Sequence, residues 1–347
     1  MMMNKFFLAC ALLCQSLFIQ AAEVDCAACN QLSEQMKNMQ KSELHLHIGG
    51  AWPLEYLKEI SEPQEFSDLC LMLNQIQCGE MDYHNAFRIF GLISKIMDSD
   101  ERIENGVEAL CKDLLLDNVV YAEFRTGLKD LGSGLEGYLN AVLRGMQRGT
   151  DGTPLKASLI LSLRRDTNYA IAEQTIDLAL KYRHNGVVGI DLSGDSTQGD
   201  GKHVFSALAR AKENRLPVTL HIGESKKETP EQQMLELSTI QPERIGHGVH
   251  LCEEGNKWIK DKKTPIELCL TSAVKAGMIN DAKEHPALQL LLQGHPVAIC
   301  TDDPLVFNTT LSQEYVHAAT LTGLSPQKIQ ESQQQVQVYR FIHIRGE

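Results

Sequence analysis

The chain has 347 residues, and its 33 Lys and Arg against 45 Asp and Glu give a formal net charge of −12 at pH 7. Hydrophobic residues make up 43% and charged residues 22%, which is the balance of a globular protein with ample material for a core. The acidic surplus and the absence of long Lys/Arg runs argue against a nucleic-acid partner.

The N-terminus has the pattern of a secretory leader. Lys5 precedes an apolar stretch at 6–19, and the small pair Ala21-Ala22 follows it. We therefore expect residues 1–22 to be a signal peptide and the protein to be secreted or periplasmic once the leader is cleaved. An apolar first helix or a misassigned start would leave it cytoplasmic. No other segment approaches membrane-spanning length, so no stable span is expected after leader removal.

Two cysteines, Cys26 and Cys29, lie between this leader and the first predicted strand. They could close a small disulfide loop or form a redox or metal pair. A second CxxC and a neighbouring His pair are both missing, so we interpret residues 23–40 as a linker and leave the state of the two thiols open. The main domain is then expected at residues 41–347.

Short apolar, β-branched runs recur eight times along this domain, and segments of helical period separate most of them. The predicted strands span 43–47, 119–124, 157–163, 187–192, 217–221, 244–248, 265–270 and 296–301. Strands alternating with helices indicate parallel βα units, and eight strands close a barrel. The sequence predicts an α/β fold, a (β/α)8 TIM barrel with an insertion after its first strand. A doubly wound sheet is the alternative, but no glycine-rich phosphate turn supports it.

Polar residues gather at the carboxyl ends of the predicted strands, where TIM barrels hold their active sites. In strand order they are His45 and His47, Asp191 with Ser193-Gly194-Asp195, His221 with Glu224, His247, Thr271-Ser272, and Asp302-Asp303. A barrel would bring these separate stretches to one mouth.

Four of these residues have the chemistry of metal ligands. His45 and His47 are two residues apart, so both imidazoles point to the same side of a strand. Together with His221 and Asp302 they offer three imidazoles and one carboxylate, which suits a borderline divalent ion. We expect one zinc ion per chain, with a further position for water.

Three more residues stand beside this donor set, each with two interpretations. Glu224 can shuttle protons if burial raises its pKa, or it can cap a helix. His247 can approach a metal-bound water, or it can pack in the core. Asp303, kept out of a helix by Pro304, can be a second ligand, a substrate acceptor or an ion-pair partner.

The motifs 43–47, 189–195, 221–224, 244–248 and 301–304 resemble, in order and spacing, those of the adenosine deaminase family, and the resemblance spans nearly the whole chain after the leader. It implies that residues 41–347 form a metal-dependent deaminase barrel in which His45, His47, His221 and Asp302 bind zinc. It also implies that the zinc-bound water attacks purine C6 while His247 and Asp302 activate it and Glu224 protonates N1. The implied substrate contacts are Asp303 at N7, the Gly194 backbone at N3, and His47.

One departure concerns the end of the substrate that carries the ribose. Gly49 stands where the family usually has Asp or Asn, so recognition of the nucleoside 5′ end does not carry over. The segments 267–272 and 311–315 look closer to the adenosine deaminase-like branch, which acts on N6-substituted purine nucleotides.

The leading hypothesis from sequence is a zinc-dependent hydrolase that converts adenosine, or a related 6-aminopurine nucleoside, to inosine and ammonia. The alternatives are N6-methyl-AMP, adenine, or a non-purine amide or ester as substrate. The acidic net charge mildly disfavours a phosphorylated one. An exported, non-catalytic binding or signalling protein on the same scaffold is a hypothesis of another class, and the intact site residues argue against it. The oligomeric state stays open.

Overall fold

The structure is a computed structural model that describes residues 26–79, 83–194 and 201–344. The expected leader, the side chain of Cys26, and Asp195 of the fourth-strand motif lie outside the described residues. None of the helices in the described ranges is long and apolar enough to cross a membrane.

Within the described residues, eight parallel strands pair in sequence order, and each overlaps one of the predicted runs. They are β1 Lys41–His47, β2 Val119–Thr126, β3 Lys156–Arg164, β4 Val187–Ser193, β5 Val218–Ile222, β6 Arg244–His247, β7 Ile266–Leu268 and β8 Val297–Ile299. The ring closes just beyond β8, where Asp302 donates its N–H to His45 O at 2.9 Å and accepts the N–H of His47 at 2.9 Å. The predicted TIM barrel is confirmed.

Helices surround the barrel and account for the continuous apolar strands, because a parallel strand covered on its outer face is buried on both sides. The insertion after β1 consists of Leu54–Ile60, Pro63–Gln77, Tyr83–Ile96 and Asp100–Leu116. The later helices are Gly134–Thr150, Tyr169–Lys181, Phe205–Glu213, Pro230–Ile240, Glu253–Lys262, Leu270–Lys275, Pro286–Leu292, Pro304–Phe307, Leu311–Thr322, Pro326–Gln335 and Phe341–Ile344. Side-chain caps start several of them; Thr310, for example, forms a capping box with Gln313.

The structure differs from the predicted linker, because residues Cys26–Asn38 form a helix that is docked on the barrel. Met36 is fully buried. The Lys41 ammonium closes the C-terminal end of the helix by donating to the carbonyl oxygens of Met36 at 2.9 Å and Met39 at 2.8 Å. The i, i+4 spacing of Leu32 and Met36 is the sequence signal for this buried face.

The barrel interior contains buried charges beneath the mouth. Glu267 is central, since it pairs with Arg125 at 2.6 Å and with Arg244 at 2.7 Å. Burial alone would raise the pKa of Glu267, but the two guanidinium groups hold it well below its usual range. A buried ion network of this kind holds its members in fixed positions only while every charge is paired.

The C-terminal segment plugs the amino ends of the strands. Phe341 is fully buried, and a Cβ at Gly189 would lie 2.2 Å from its ring. Its backbone N–H donates to Glu123 Oε1 at 2.7 Å, and the Arg244 guanidinium stacks 3.9 Å from the ring centroid. The plug therefore closes the end of the barrel opposite the mouth.

Candidate active site

The structure brings the four residues predicted as metal ligands together at the mouth. The ring centroid of His45 lies 5.1 Å from that of His47 and 4.7 Å from that of His221. Asp302 Oδ1 is 3.4 Å from His45 Nε2 and 3.5 Å from His47 Nε2. Asp302 thus faces two of the three imidazoles, although it lies far from His45 and His47 in the sequence.

Hydrogen bonds to carboxylates fix how two of these imidazoles are turned. His45 Nδ1 lies 2.8 Å from Glu267 Oε2, and His221 Nδ1 lies 2.8 Å from Asp191 Oδ1. The Nε2 atom of each ring is therefore the one directed at the centre of the site. Asp191 reaches the same barrel layer from β4, which accounts for a carboxylate near the carboxyl end of that strand.

The Nε2 atoms that face the centre of the site are arranged to bind a cation rather than to hydrogen-bond with one another. His47 Nε2 and His221 Nε2 are only 3.1 Å apart, and the buried His45 Nε2 has no hydrogen-bond partner in the described part of the chain. Buried polar atoms are rarely left without a partner, and imidazole nitrogens with a carboxylate are the donor set of a zinc site. The arrangement fits a borderline divalent metal ion.

The pKa shifts of two predicted ligands, His47 and Asp302, agree with a metal site. Burial, together with the neighbouring His221 and His45, lowers the pKa of His47 to about 3. Burial opposes ionisation of Asp302, but the contact of its Oδ1 with His45 Nε2 at 3.4 Å and the proximity of His247 hold its pKa well below its usual range. A neutral His47 and an ionised Asp302 are in the forms that bind a metal ion, whereas the nearby carboxylates raise the pKa of His45 despite its burial, so His45 would release its proton on binding.

Two backbone features admit this crowding. His247 and Asp302 have φ values of 62° and 68°, in the left-handed region that residues with a Cβ seldom adopt. Such strain concentrates at functional sites. At Gly246 a Cβ would lie 3.1 Å from the His45 ring, so a glycine there lets β6 approach this predicted metal ligand.

Glu224 lies beside the cluster, with Oε1 3.5 Å from His247 Nε2. Burial raises the pKa of Glu224 to about 7 against the opposing effects of His221 and Arg165. The capping interpretation does not hold, because the next helix begins at Pro230 and Thr229 is its N-cap. Glu224 is thus a carboxyl that can be protonated near neutral pH.

His247 and Asp303 each present an unpaired atom at the site. His247 Nδ1 and Asp303 Oδ1 are both buried and make no hydrogen bond to any described residue. Burial, with neighbouring Asp302 and Glu224, raises the pKa of Asp303 well above its usual range, which favours the protonated carboxyl, the form that can donate a hydrogen bond. It forms no ion pair among the described groups, which leaves the substrate role open to it.

The seventh strand ends earlier than its motif suggests. Thr271 and Ser272 belong to the helix Leu270–Lys275, yet Ser272 Oγ still donates to Asp302 Oδ2 at 2.5 Å. Cys269 is buried, and its sulfur lies close to His45 and Asp302.

Sequence reasoning missed two residues, Glu228 and Arg165, that hold backbone groups at the mouth. Glu228 holds the loop after β5. Glu228 accepts the backbone N–H groups of Gly223 at 2.7 Å, Glu224 at 2.9 Å and Ser225 at 3.1 Å. A carboxylate gathering three successive amides fixes the loop that carries Glu224. Nothing in the sequence distinguishes Glu228 from the other acids of this segment.

Arg165 supports the neighbouring backbone. It donates to the carbonyl oxygens of His221 at 2.6 Å and Gly194 at 2.9 Å, and it pairs with Glu236 at 2.8 Å. It therefore couples the end of β4 to the end of β5. Its place directly after β3 was the available signal, since cations at strand ends face the mouth.

The adenosine deaminase family model matches residues 40–343. The chain belongs to the adenosine deaminase family. Its members are metal-dependent, and the His and Asp cluster described above is where this chain would hold the ion. Membership identifies the chain as a hydrolytic deaminase that acts on purines.

Individual family members are similar over most of their length. The N6-Methyl-AMP deaminase of Danio rerio is 31% identical over 319 residues, covering 88% of this chain and 91% of the relative. The N6-mAMP deaminase of Arabidopsis thaliana is 32% identical over 320 residues, covering 84% and 89%. The crystal structure of arabidopsis ADAL complexed with GMP matches with a TM-score of 0.81 at 30% identity, covering 89% of this chain and 94% of that chain.

Proposed function

We propose that this member of the adenosine deaminase family is a zinc-dependent N6-methyl-AMP deaminase, which hydrolyses its substrate to IMP and methylamine. The similarity to N6-methyl-AMP deaminases along most of both chains carries the proposal. The Mus musculus enzyme of that name, 31% identical over 300 residues, adds support. The substrate that the sequence ranked as an alternative is therefore preferred to adenosine.

His45, His47, His221 and Asp302 are the residues that would hold the zinc ion. When bound, zinc lowers the pKa of a water molecule toward neutrality and so supplies the nucleophile. Glu267 and Asp191 each accept a hydrogen bond from the Nδ1–H of one of these imidazoles and keep it oriented, so their role is to maintain the donor set.

The protonation states of three residues match the remaining chemistry. Glu224, with a pKa of about 7, carries the proton that purine N1 must receive before water can add at C6. Burial lowers the pKa of His247 well below its usual value, so the neutral imidazole can accept a proton from the attacking water. The protonated Asp303 donates to N7, and the Gly194 N–H donates to N3.

Proton transfers to and from these side chains then complete the hydrolysis. Water adds its oxygen to C6, and the C6–N6 bond breaks as the leaving nitrogen receives a proton. For N6-methyl-AMP the products are IMP and methylamine, and for AMP they would be IMP and ammonia. The same residues act in both cases, so the substituents of the substrate decide the preference.

A substrate panel tests the proposal with the purified, zinc-loaded protein. We expect kcat/KM for N6-methyl-AMP to exceed those for AMP, adenosine and adenine by at least about 10-fold, the discrimination that one well-fitted group provides. A higher value for adenosine would overturn the proposal in favour of the sequence's leading hypothesis. Metal binding without turnover of any purine would favour the non-catalytic alternative.

A variant pair ties this activity to the site. Glu224→Gln should lower kcat by about 10²- to 10⁴-fold, the usual contribution of a positioned general acid. Glu231→Gln, at an exposed glutamate of the next helix, is the matched control and should leave kcat unchanged. Equal activities for the two variants would contradict the role given to Glu224.

A further inference from the structure

We propose that Lys129 and Ser94, with the open space beside Gly49, form the subsite for the 5′-phosphate of the substrate. This inference rests on the proposed function, because a phosphate distinguishes N6-methyl-AMP from a nucleoside. The groups assigned to the purine are imidazoles, carboxyls and a backbone amide, and none of them is a cation. A phosphate monoester carries close to two negative charges at pH 7 and needs one.

Lys129 follows β2 by three residues, on the side of the barrel where the carboxyl ends of the strands meet. Its ammonium donates a hydrogen bond to Ser94 Oγ at 3.1 Å. Ser94 belongs to the helix Tyr83–Ile96 of the insertion after β1. The Lys129–Ser94 pair therefore joins the loop after β2 to the insertion.

These two elements flank the wall of the site that follows His47. The turn Ile48–Gly50 comes directly after this ligand, and both β2 and the helix Tyr83–Ile96 pack against the turn. The turn also touches the purine side of the site, since a Cβ on Gly50 would lie 1.9 Å from Asp303 Oδ1. One short turn thus links Asp303 to the elements that carry Lys129 and Ser94.

Gly49, in the middle of this turn, leaves room for a ligand group. A Cβ at this position would meet no atom within 4 Å, and the residue is partly exposed. Its φ is outside the left-handed region, so the backbone does not require glycine. What glycine provides here is space and the absence of a side chain that could exclude or repel a phosphate.

Lys129 is also a cation without a neutralising partner in the described structure. No carboxylate of the described residues forms an ion pair with it, and burial alone lowers the pKa of its ammonium. The Lys129 side chain nevertheless keeps partial access to solvent. Partial burial together with solvent access is what a cation in an open groove has. Two ammonium protons and the Ser94 hydroxyl proton are left to bind phosphate oxygens.

Neighbouring arginines at the mouth are already committed. Arg165 pairs with Glu236 at 2.8 Å, and Arg164 pairs with Asp166 at 2.9 Å. Lys226 and Lys227, after β5, are exposed, so binding through them would have to order two flexible side chains. Lys129 is partly buried and held by Ser94, so less ordering is needed when it binds.

The test compares the nucleotide with its nucleoside in the full-length, zinc-loaded protein. Lys129→Gln removes the charge and keeps an amide in the position of the ammonium. We expect the ratio of kcat/KM for N6-methyl-AMP to that for N6-methyladenosine to fall about 10- to 100-fold, mainly through KM, the loss expected for one charged hydrogen bond. The matched control Lys227→Gln should change this ratio by less than about two-fold.

A second pair of variants tests the space beside Gly49 without touching Lys129. Gly49→Asp and Gly49→Asn add side chains of nearly the same size, and only the aspartate adds charge. We expect Gly49→Asp to lower the nucleotide-to-nucleoside ratio at least about 10-fold further than Gly49→Asn, because the carboxylate repels phosphate. Equal ratios in the two variants would overturn the subsite, and this pair decides the matter if Lys129→Gln does not fold.

Binding of product separates this inference from the proposed function. Calorimetry should show IMP binding weakened about 10-fold or more by Lys129→Gln, while inosine binding stays within about two-fold. If wild type turns over neither substrate, the proposed function fails, and the IMP and inosine affinities still decide the subsite. If wild type prefers N6-methyl-AMP but Lys227→Gln lowers the ratio while Lys129→Gln does not, the subsite assignment is wrong and the proposed function stands.

Discussion

The carboxylate of Glu228 accepts the backbone N–H of Glu224 at 2.9 Å, so one acid positions another, the proposed proton donor. The Glu228 charge also raises the pKa of Glu224, after the larger effect of burial. Position and acidity of the proton donor therefore depend on the same neighbour.

Replacing Glu228 should change the pH profile as well as the rate. In Glu228→Gln the negative charge is lost, so the pKa of Glu224 falls and its proton is lost at lower pH. We expect the basic limb of the kcat/KM profile to move to lower pH, with kcat reduced about 10-fold from a less well-fixed loop. A reduced kcat with an unmoved basic limb would show that Glu228 acts on loop structure alone.

The wild-type pH profile follows from Glu224. Burial raises the pKa of this group to about 7, so it is protonated below that pH and ionised above it. A proton donor must be protonated at the start of the reaction, and kcat/KM should therefore decrease about 10-fold for each pH unit above 7. Activity that stays constant between pH 7 and pH 9 would exclude Glu224 as the donor.

Arg165 and Glu236 form a buried ion pair whose members are both 1% exposed. Arg165→Met should cost about 3–5 kcal/mol in the free energy of unfolding, because Glu236 is left charged and unpaired. The double variant Arg165→Met/Glu236→Leu should recover much of that loss in a denaturant titration. Recovery of stability without recovery of kcat would support a positioning role of Arg165 at His221 and Gly194.

The C-terminal plug should be a main source of barrel stability. Phe341→Ala removes a fully buried ring beneath Arg244 and should lower the free energy of unfolding by about 3–5 kcal/mol. Val338, which is 65% exposed in the same segment, supplies the control. Val338→Ala should change stability by less than about 0.5 kcal/mol, and similar losses in both variants would show that the plug does not pack as described.

The strands and the polar residues at their ends could be predicted from sequence because parallel barrel strands are short apolar runs with abrupt polar ends. His45 and His47 are an example, since strand alternation alone places both imidazoles on one side. Glu228 and Arg165 could not be predicted in the same way, because their roles depend on backbone groups of loops whose course is set only in the folded chain. The docked helix Cys26–Asn38 was missed because its apolar face is narrow.

The central claim is that His45, His47, His221 and Asp302 share one zinc ion on which deamination depends. Metal analysis of the purified wild type and of His221→Ala, with N6-methyl-AMP turnover measured before and after chelation, tests it most directly. We predict about one zinc per chain in wild type, loss of both metal and turnover in His221→Ala, and recovery of chelated wild type when zinc is added back. Full turnover by wild-type protein that retains no metal after chelation would contradict the account.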